Sequence, residues 1–510
     1  MQLSRQNLKN ISHGPEFLLP EEAIFSLSEK VLQFGTGVLL RALPDYFIDK
    51  ANRQGVFNGR IVVVKSTSQG SIAEFARQDN LYTLCLRGIT NGQVQEQFVI
   101  NSSISRVLSA TSDWTSVLQC AENRELRIII SNTTEVGIVL TDDNIHDYPP
   151  KSFPGKLLSF LFKRYQVFNG SKESGMIIVP TELIIDNGNK LRSIILDLAK
   201  MNKLDDGFIE WLKIQNHFCS SLVDRIVPGK LSQSDQSAIE ARLGYSDALM
   251  ITAETFGLWA IETDCVDVQE ALSFSSVNEG MILCPDIGLY RELKLRLLNG
   301  THSFTCGLAV RAGFATVREA MNNSHFASFI HDIAIDEIAN AVTSSQVPYA
   351  TAREFAEKTL ERFRNPFLDH KWINISAQYS EKMKQRAIPL LIKHYNKFSE
   401  TPRRMALGFA AFLLFMKCRK DRHGNFVGEA NGVAYTITDD HAEYFAEIWS
   451  SARSEMDHAL DKLLGDEEFW GTNLSLLNGF AEAVKKNVYE LSQQDVLSTI
   501  RNLDPGKTKM

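Results

Sequence analysis

Residues 30–42, Lys30-Val31-Leu32-Gln33-Phe34-Gly35-Thr36-Gly37-Val38-Leu39-Leu40-Arg41-Ala42, read as a strand, a tight glycine turn and the start of a helix. Glycines let a backbone approach a pyrophosphate closely, while the free N–H groups and the dipole of the helix start supply positive potential. The third glycine of G-x-G-x-x-G is missing, with Leu40 in its place, so the turn by itself suits a structural role as well as a dinucleotide site. The next strand, Arg60-Ile61-Val62-Val63-Val64, arrives where the second strand of a nucleotide-binding fold should stand. It ends in Lys65-Ser66-Thr67, without the acidic residue that grips a ribose 2′-hydroxyl. The residues therefore leave NAD and NADP both open. Lys65 suits a 2′-phosphate and equally a solvent-exposed strand end.

Outward from that stretch, β-rich runs (KVLQFG, RIVVVKS, QVQEQFVI, RIIISNT, GMIIVPTEL) alternate with amphipathic segments such as LLRALPDYFIDKANRQG. That alternation predicts an α/β architecture with a parallel sheet. After Ile287 nearly every segment has helical period, as in SHFASFIHDIAIDEIANAV, YATAREFAEKTLERF, EKMKQRAIPLLIKHYNKF and RRMALGFAAFLLFMK. Strand signals fade there apart from GVAYTIT. At 510 residues the chain exceeds what one core normally supports. The expectation is a Rossmann-type NAD-binding domain over residues 1–286 and a mostly helical substrate and catalytic domain over 287–510.

Composition closes off other classes. With 44% hydrophobic and 23% charged residues the chain is an ordinary globular protein. A net charge of −7 and a pI near 5.9 exclude the basic surface a nucleic-acid partner needs. The amino terminus lacks the apolar core of a signal peptide, and no apolar run reaches the roughly 18 residues of a membrane span, so a cytoplasmic location is expected. The seven cysteines are scattered without a CxxC pair, which fits a reducing compartment and no structural zinc. His370 and His441 sit near carboxylates but lack metal-helix spacing, so no metal is expected. The residues leave the oligomeric state open.

The segment Tyr290-Arg291-Glu292-Leu293-Lys294-Leu295-Arg296-Leu297-Leu298-Asn299-Gly300-Thr301-His302-Ser303 holds the candidate chemistry. On an α-helix advancing about 100° per residue, Lys294, Asn299 and His302 fall within an arc of roughly 140°. A lysine partly desolvated in a cleft has its pKa lowered toward neutrality and can trade a proton with an alcohol or ketone oxygen. Asn299 would stabilise developing oxyanion charge. Gly300, costly inside a helix, predicts close approach of a substrate or nicotinamide ring, or else a helix break. By residue type alone, such a face also describes a solvated surface.

The pattern K-x4-N-x2-H at Lys294, Asn299 and His302, joined to Gly35, Gly37 and Arg41 of the turn, resembles the long-chain mannitol dehydrogenase family. So do RQDNLYTL at 77–84, FPGK at 153–156, LVDRI at 222–226 and RFRNP at 362–366. Within that family, ISNTTEVGI at 130–138 is most similar to the branch that interconverts tagaturonate and altronate. The resemblance implies NAD, no metal, and hydride transfer to a small sugar-acid substrate with Lys294 as general acid/base, beside Asn299, His302 and Asp224. It implies cofactor contacts at Phe34, Gly35, Thr36, Gly37, Val38, Arg41, Lys65, Asn132 and Glu135, and substrate contacts at Asn187, Arg225, Lys382 and Arg386. Lys382 and Arg386 would anchor a carboxylate. One departure stands out. Where polyol-oxidising members carry an Asp-Asn pair, this chain has Glu182-Leu183, and Leu183 offers no amide to an oxyanion. A fructuronate reductase and a mannitol-type dehydrogenase are the neighbouring alternatives. A non-catalytic NAD-binding module would not need the intact K-x4-N-x2-H face.

Overall fold

A strand buried on both faces must be apolar through its middle, and residues 61–64 and 128–130 meet that demand. The computed structural model describes residues 1–11, 14–67, 70–133, 137–229, 231–451 and 456–503. The chain divides into two compact units, Met1–Ile287 and Gly288–Met510.

The first unit is built on a six-stranded sheet, all of it parallel: β1 (Glu29–Phe34), β2 (Arg60–Lys65), β3 (Ile104–Ser109), β4 (Ile128–Ser131), β5 (Ile177–Pro180) and β6 (His217–Phe218). Their spatial order is β3-β2-β1-β4-β5-β6, the Rossmann order, in which the order of strand addition reverses between β1 and β4. Alternate residues serve opposite cores. Val31, Ile61, Val63, Ile128 and Ile130 pack on one face, and Leu32, Phe34, Val62, Val64, Ile129 and Ile178 on the other.

The run QVQEQFVI departs from the expectation of a parallel strand. It lies in Gln93–Asn101, antiparallel to Tyr82–Thr90, in a separate four-stranded sheet. Asn91 and Gly92 between them hold φ of 52° and 74°, the left-handed pair that a two-residue hairpin turn requires. The third parallel strand is instead β3, ISRVLS, which the alternation of β-rich runs did not reveal.

The second unit is helical, with one three-stranded antiparallel sheet of Cys418–Lys420, Phe426–Ala430 and Val433–Thr436. Its central helix, Arg403–Phe415, is buried at every position from Met405 onward. It crosses the helix Asn299–Arg311 through two glycines. A Cβ on Gly408 would stand 2.4 Å from the Phe304 carbonyl oxygen, and one on Gly307 2.8 Å from that of Ala411. Side chains at both positions are excluded by the other helix's backbone.

Candidate active site

The glycine turn sits at the carboxyl end of β1, beside the reversal point of the sheet. Gly35 adopts φ +131°, a conformation closed to ordinary side chains, and its amide donates to Val64 O at 2.9 Å. A Cβ there would strike Leu40 Cδ1 at 2.8 Å and Asn132 O at 3.0 Å. Gly37 is different. A Cβ on it would meet nothing within 4 Å, so the backbone at the helix start faces open space of the kind a pyrophosphate fills. Leu40, in the third-glycine position, is fully buried in the core beneath the turn.

The ends of β1, β4 and β5 are laced together at this point. Asn132 N–H donates to Phe34 O at 3.1 Å, and its amide side chain donates to Thr181 Oγ1 at 3.0 Å and to Thr181 O at 3.2 Å. Glu182, flagged in the sequence only for standing, with Leu183, where polyol-oxidising members carry an Asp-Asn pair, is buried here. It accepts from Thr133 N–H at 2.8 Å, Thr133 Oγ1 at 3.1 Å and Ser131 Oγ at 3.2 Å. Burial pushes its carboxyl above the usual range despite these donors. Glu135 lies outside the described residues.

Several residues expected to touch ligand are committed to the protein itself. Phe34 turns its ring into the core, 5.2 Å from Phe153. Arg41 is buried over Tyr82, with Nη1 on Leu249 O at 2.7 Å. Lys65 is buried rather than exposed at its strand end, its ammonium folded onto Thr67 O. Asn187 is saturated by backbone: its amide donates to Pro180 O, Glu182 O and Ser221 O at 2.9–3.1 Å, and its carbonyl accepts from Ser221 N–H at 2.8 Å. It ties the strand ends together. The Arg225 guanidinium likewise donates to the carbonyls of Phe256 (2.8 Å), Thr255 (3.1 Å) and Ala42, stacked over Tyr46. Asp224 is buried at the end of Ser221–Asp224, opposite Leu258.

In the second unit the helix does not break at Gly300. It runs through Gly288–Leu293, a π turn at Lys294–Leu298, and Asn299–Arg311. The close neighbour at Gly300 within the protein is Leu390, whose Cδ1 would lie 2.8 Å from a Cβ. In the π turn Asn299 N–H bonds to Lys294 O. That places the residue five along where an α-helix places the residue four along, so Lys294 and Asn299 come closer to one side than an ideal helix allows.

His302 is 5% exposed, stacked on Phe363 at 4.2 Å and edge-on to His370 at 5.2 Å and Trp372 at 5.9 Å. Its Nε2 is buried without a hydrogen-bond partner among the described residues. Burial first, then His370, Arg386, Arg362 and Lys382, hold its pKa well below the ordinary value, so the ring is neutral. The structure thus brings Lys382 and Arg386 together with His302, and adds Arg362 and His370. Burial pulls the Arg386 guanidinium down to about 10, and among the described residues no acidic side chain pairs with it. Lys382 is lowered by burial and by Arg386, with its Nζ on Ile375 O at 2.8 Å. Lys382 and Arg386 are thus partly desolvated cations beside His302 and His370, whose pKa values are lowered.

The mannitol dehydrogenase Rossmann domain model matches residues 29–273, and the mannitol dehydrogenase C-terminal domain model matches residues 286–492. The chain belongs to the mannitol dehydrogenase family. It is accordingly an oxidoreductase acting on a CH–OH group. It is 35% identical over 476 residues to altronate oxidoreductase of Bacillus subtilis (strain 168), covering 92% of this chain and 94% of that protein. Identity to altronate oxidoreductase of Escherichia coli O7:K1 is 32% over 482 residues, covering 93% and 97%. Among solved structures, Pseudomonas fluorescens mannitol 2-dehydrogenase in ternary complex with NAD and D-mannitol matches with a TM-score of 0.70 at 23% identity, covering 99% of this chain and 100% of that one. D-sorbitol dehydrogenase in substrate-free form matches at 0.77 and 20%, covering 98% and 100%. These last two likenesses concern the fold.

In this mannitol dehydrogenase family member, the site residues that sequence reasoning passed over have partial signals. Arg362 lies inside the RFRNP segment, and His370 drew notice only as a metal ligand. Among the described residues no three His, Cys, Asp or Glu side chains gather as a metal site requires. Glu182 stands out in the sequence only as half of the Glu182-Leu183 departure from the family's Asp-Asn pair.

Proposed function

We propose that this chain is an NAD-dependent tagaturonate reductase, interconverting D-tagaturonate and D-altronate with Lys294 as general acid/base and no metal. The observation that carries the acidic substrate is the cation cluster of Lys382, Arg386 and Arg362 around the neutral, unpartnered His302. The likeness to altronate oxidoreductases over more than nine-tenths of the chain supports the same substrate.

The glycine turn of Gly35, Thr36, Gly37 and Val38, with Asn132 at the adjoining strand end, would hold the dinucleotide. NADH, when bound, supplies the hydride that reduces the ketone carbon beside the terminal CH2OH of tagaturonate. Lys294 gives its proton to the ketone oxygen as the alcohol forms, and takes it back in the reverse direction. Asn299 donates its side-chain amide to that oxygen as charge develops. Lys294 and Asn299 together supply the positive potential that a metal ion would otherwise provide. His302, kept neutral, has a ring nitrogen free to bond a substrate hydroxyl. Arg386 and Lys382 receive the carboxylate.

The test is NADH oxidation by purified protein with tagaturonate, fructuronate and fructose side by side. The expected result is the highest kcat/KM with tagaturonate. Preference for either other substrate moves the assignment within the family, and no turnover with any of them leaves a nucleotide-binding module.

A further inference from the structure

Two π turns in the second unit carry the polar groups assigned above, Lys294–Leu298 with Lys294 and Met383–Ala387 with Arg386. Pro389 lacks an N–H, so Gln385 O has no donor four residues along. A donor reaches it from the first turn. Arg296 Nη1 donates to Gln385 O at 2.6 Å and to Arg386 O at 3.3 Å. Arg296 is itself 8% exposed, and its Nε and Nη2 each lie 3.4 Å from the Glu292 carboxylate, which Lys393 holds from its other side at 3.2 Å. The guanidinium is therefore fixed at both ends.

We propose that Arg296 is a positioning residue: it locks the turn bearing Arg386 to the turn bearing Lys294, and so sets the distance between the carboxylate anchor and the proton-transfer group. This rests on the acidic-substrate reading above. A rigid, two-carbonyl clamp suits the task because a planar guanidinium holds two acceptors in one plane, which a flexible ammonium does less well. A displacement of about 1 Å between two groups that bind one substrate costs on the order of a hundredfold in rate, so the clamp is worth more than the packing it contributes. A purely structural arginine would affect every substrate alike.

The experiment compares Arg296→Met, Arg296→Lys, Arg386→Ala and the double variant Arg296→Met/Arg386→Ala. It follows NADH oxidation with tagaturonate and with neutral fructose, and amide hydrogen exchange across residues 379–395. In Arg296→Met, kcat/KM for tagaturonate should fall by on the order of tenfold or more, chiefly through KM, with a smaller loss for fructose. Arg296→Lys should recover part of it. In the Arg386→Ala background the Arg296→Met loss should largely vanish, because both changes act on one contact. Additive losses in the double variant, or equal losses on both substrates, would overturn the proposal. If the wild-type protein reduces neither compound, the substrate reading fails and exchange decides the clamp alone. Faster exchange at residues 383–387 in Arg296→Met, restored by Arg296→Lys, supports it, and unchanged exchange refutes it.

Discussion

Lys294 is asked for proton transfer and for nothing in the nucleotide turn, which divides its kinetic signature from that of the glycines. Lys294→Ala should lower kcat by about 10²–10⁴, the usual worth of general acid–base help, while the NADH dissociation constant measured by fluorescence titration stays put. An unchanged kcat would take Lys294 out of the mechanism. His302 makes a pH prediction. Its folded pKa lies well below 6.5, through burial first and then its cationic neighbours, so below about 6.5 an unfolded chain takes up a proton that the folded chain refuses. Stability is therefore full above that pH and is lost as pH falls. The melting temperature of wild type should drop more between pH 7 and about pH 5.5 than that of His302→Asn, and parallel curves would refute the assignment. At this scale the sequence was a fair guide to which residue types matter and a poor one to how they are engaged. Arg41, Asn187 and Arg225 read as ligand-facing in the sequence, and the structure shows each hydrogen-bonded to backbone carbonyls. Whether a guanidinium or amide is already saturated by carbonyls depends on strands far away in the chain, as with Ser221 and Asn187 or Leu249 and Arg41.

At the level of helices and strands, the crossing of Asn299–Arg311 with Arg403–Phe415 is as tight as backbone allows. Gly408→Ala would place a methyl 2.4 Å from the Phe304 carbonyl oxygen, which rigid backbone cannot yield cheaply. The expected cost is about 1–3 kcal/mol in denaturant titration, with lowered activity because the displaced helix bears Asn299 and His302. A neutral result would mean the helices separate freely. The Asn91-Gly92 pair was legible as a hairpin, and would have taken QVQEQFVI out of the parallel sheet. The π turns were not legible. Nothing in KLRLL or MKQRA announces a widened turn, since hydrophobic period is nearly the same in both helices and packing decides which forms.

Over the whole molecule, ligand chemistry is expected to map onto separate stretches of chain. In hydrogen exchange, NADH should protect residues 29–42 and 128–133, and altronate should protect residues 288–311 and 379–395. Protection of the same stretches by both ligands would contradict the division of roles. The fold class was readable because its evidence is redundant: many strands buried on both faces, then many amphipathic helices, each repeating the same message. The site rests on single side chains and has no such redundancy. Pro389 carries that lesson into evolutionary terms. Residue 389 cannot donate to Gln385 O, and Arg296, remote in sequence, does. Positions 296 and 389 should therefore vary together among relatives.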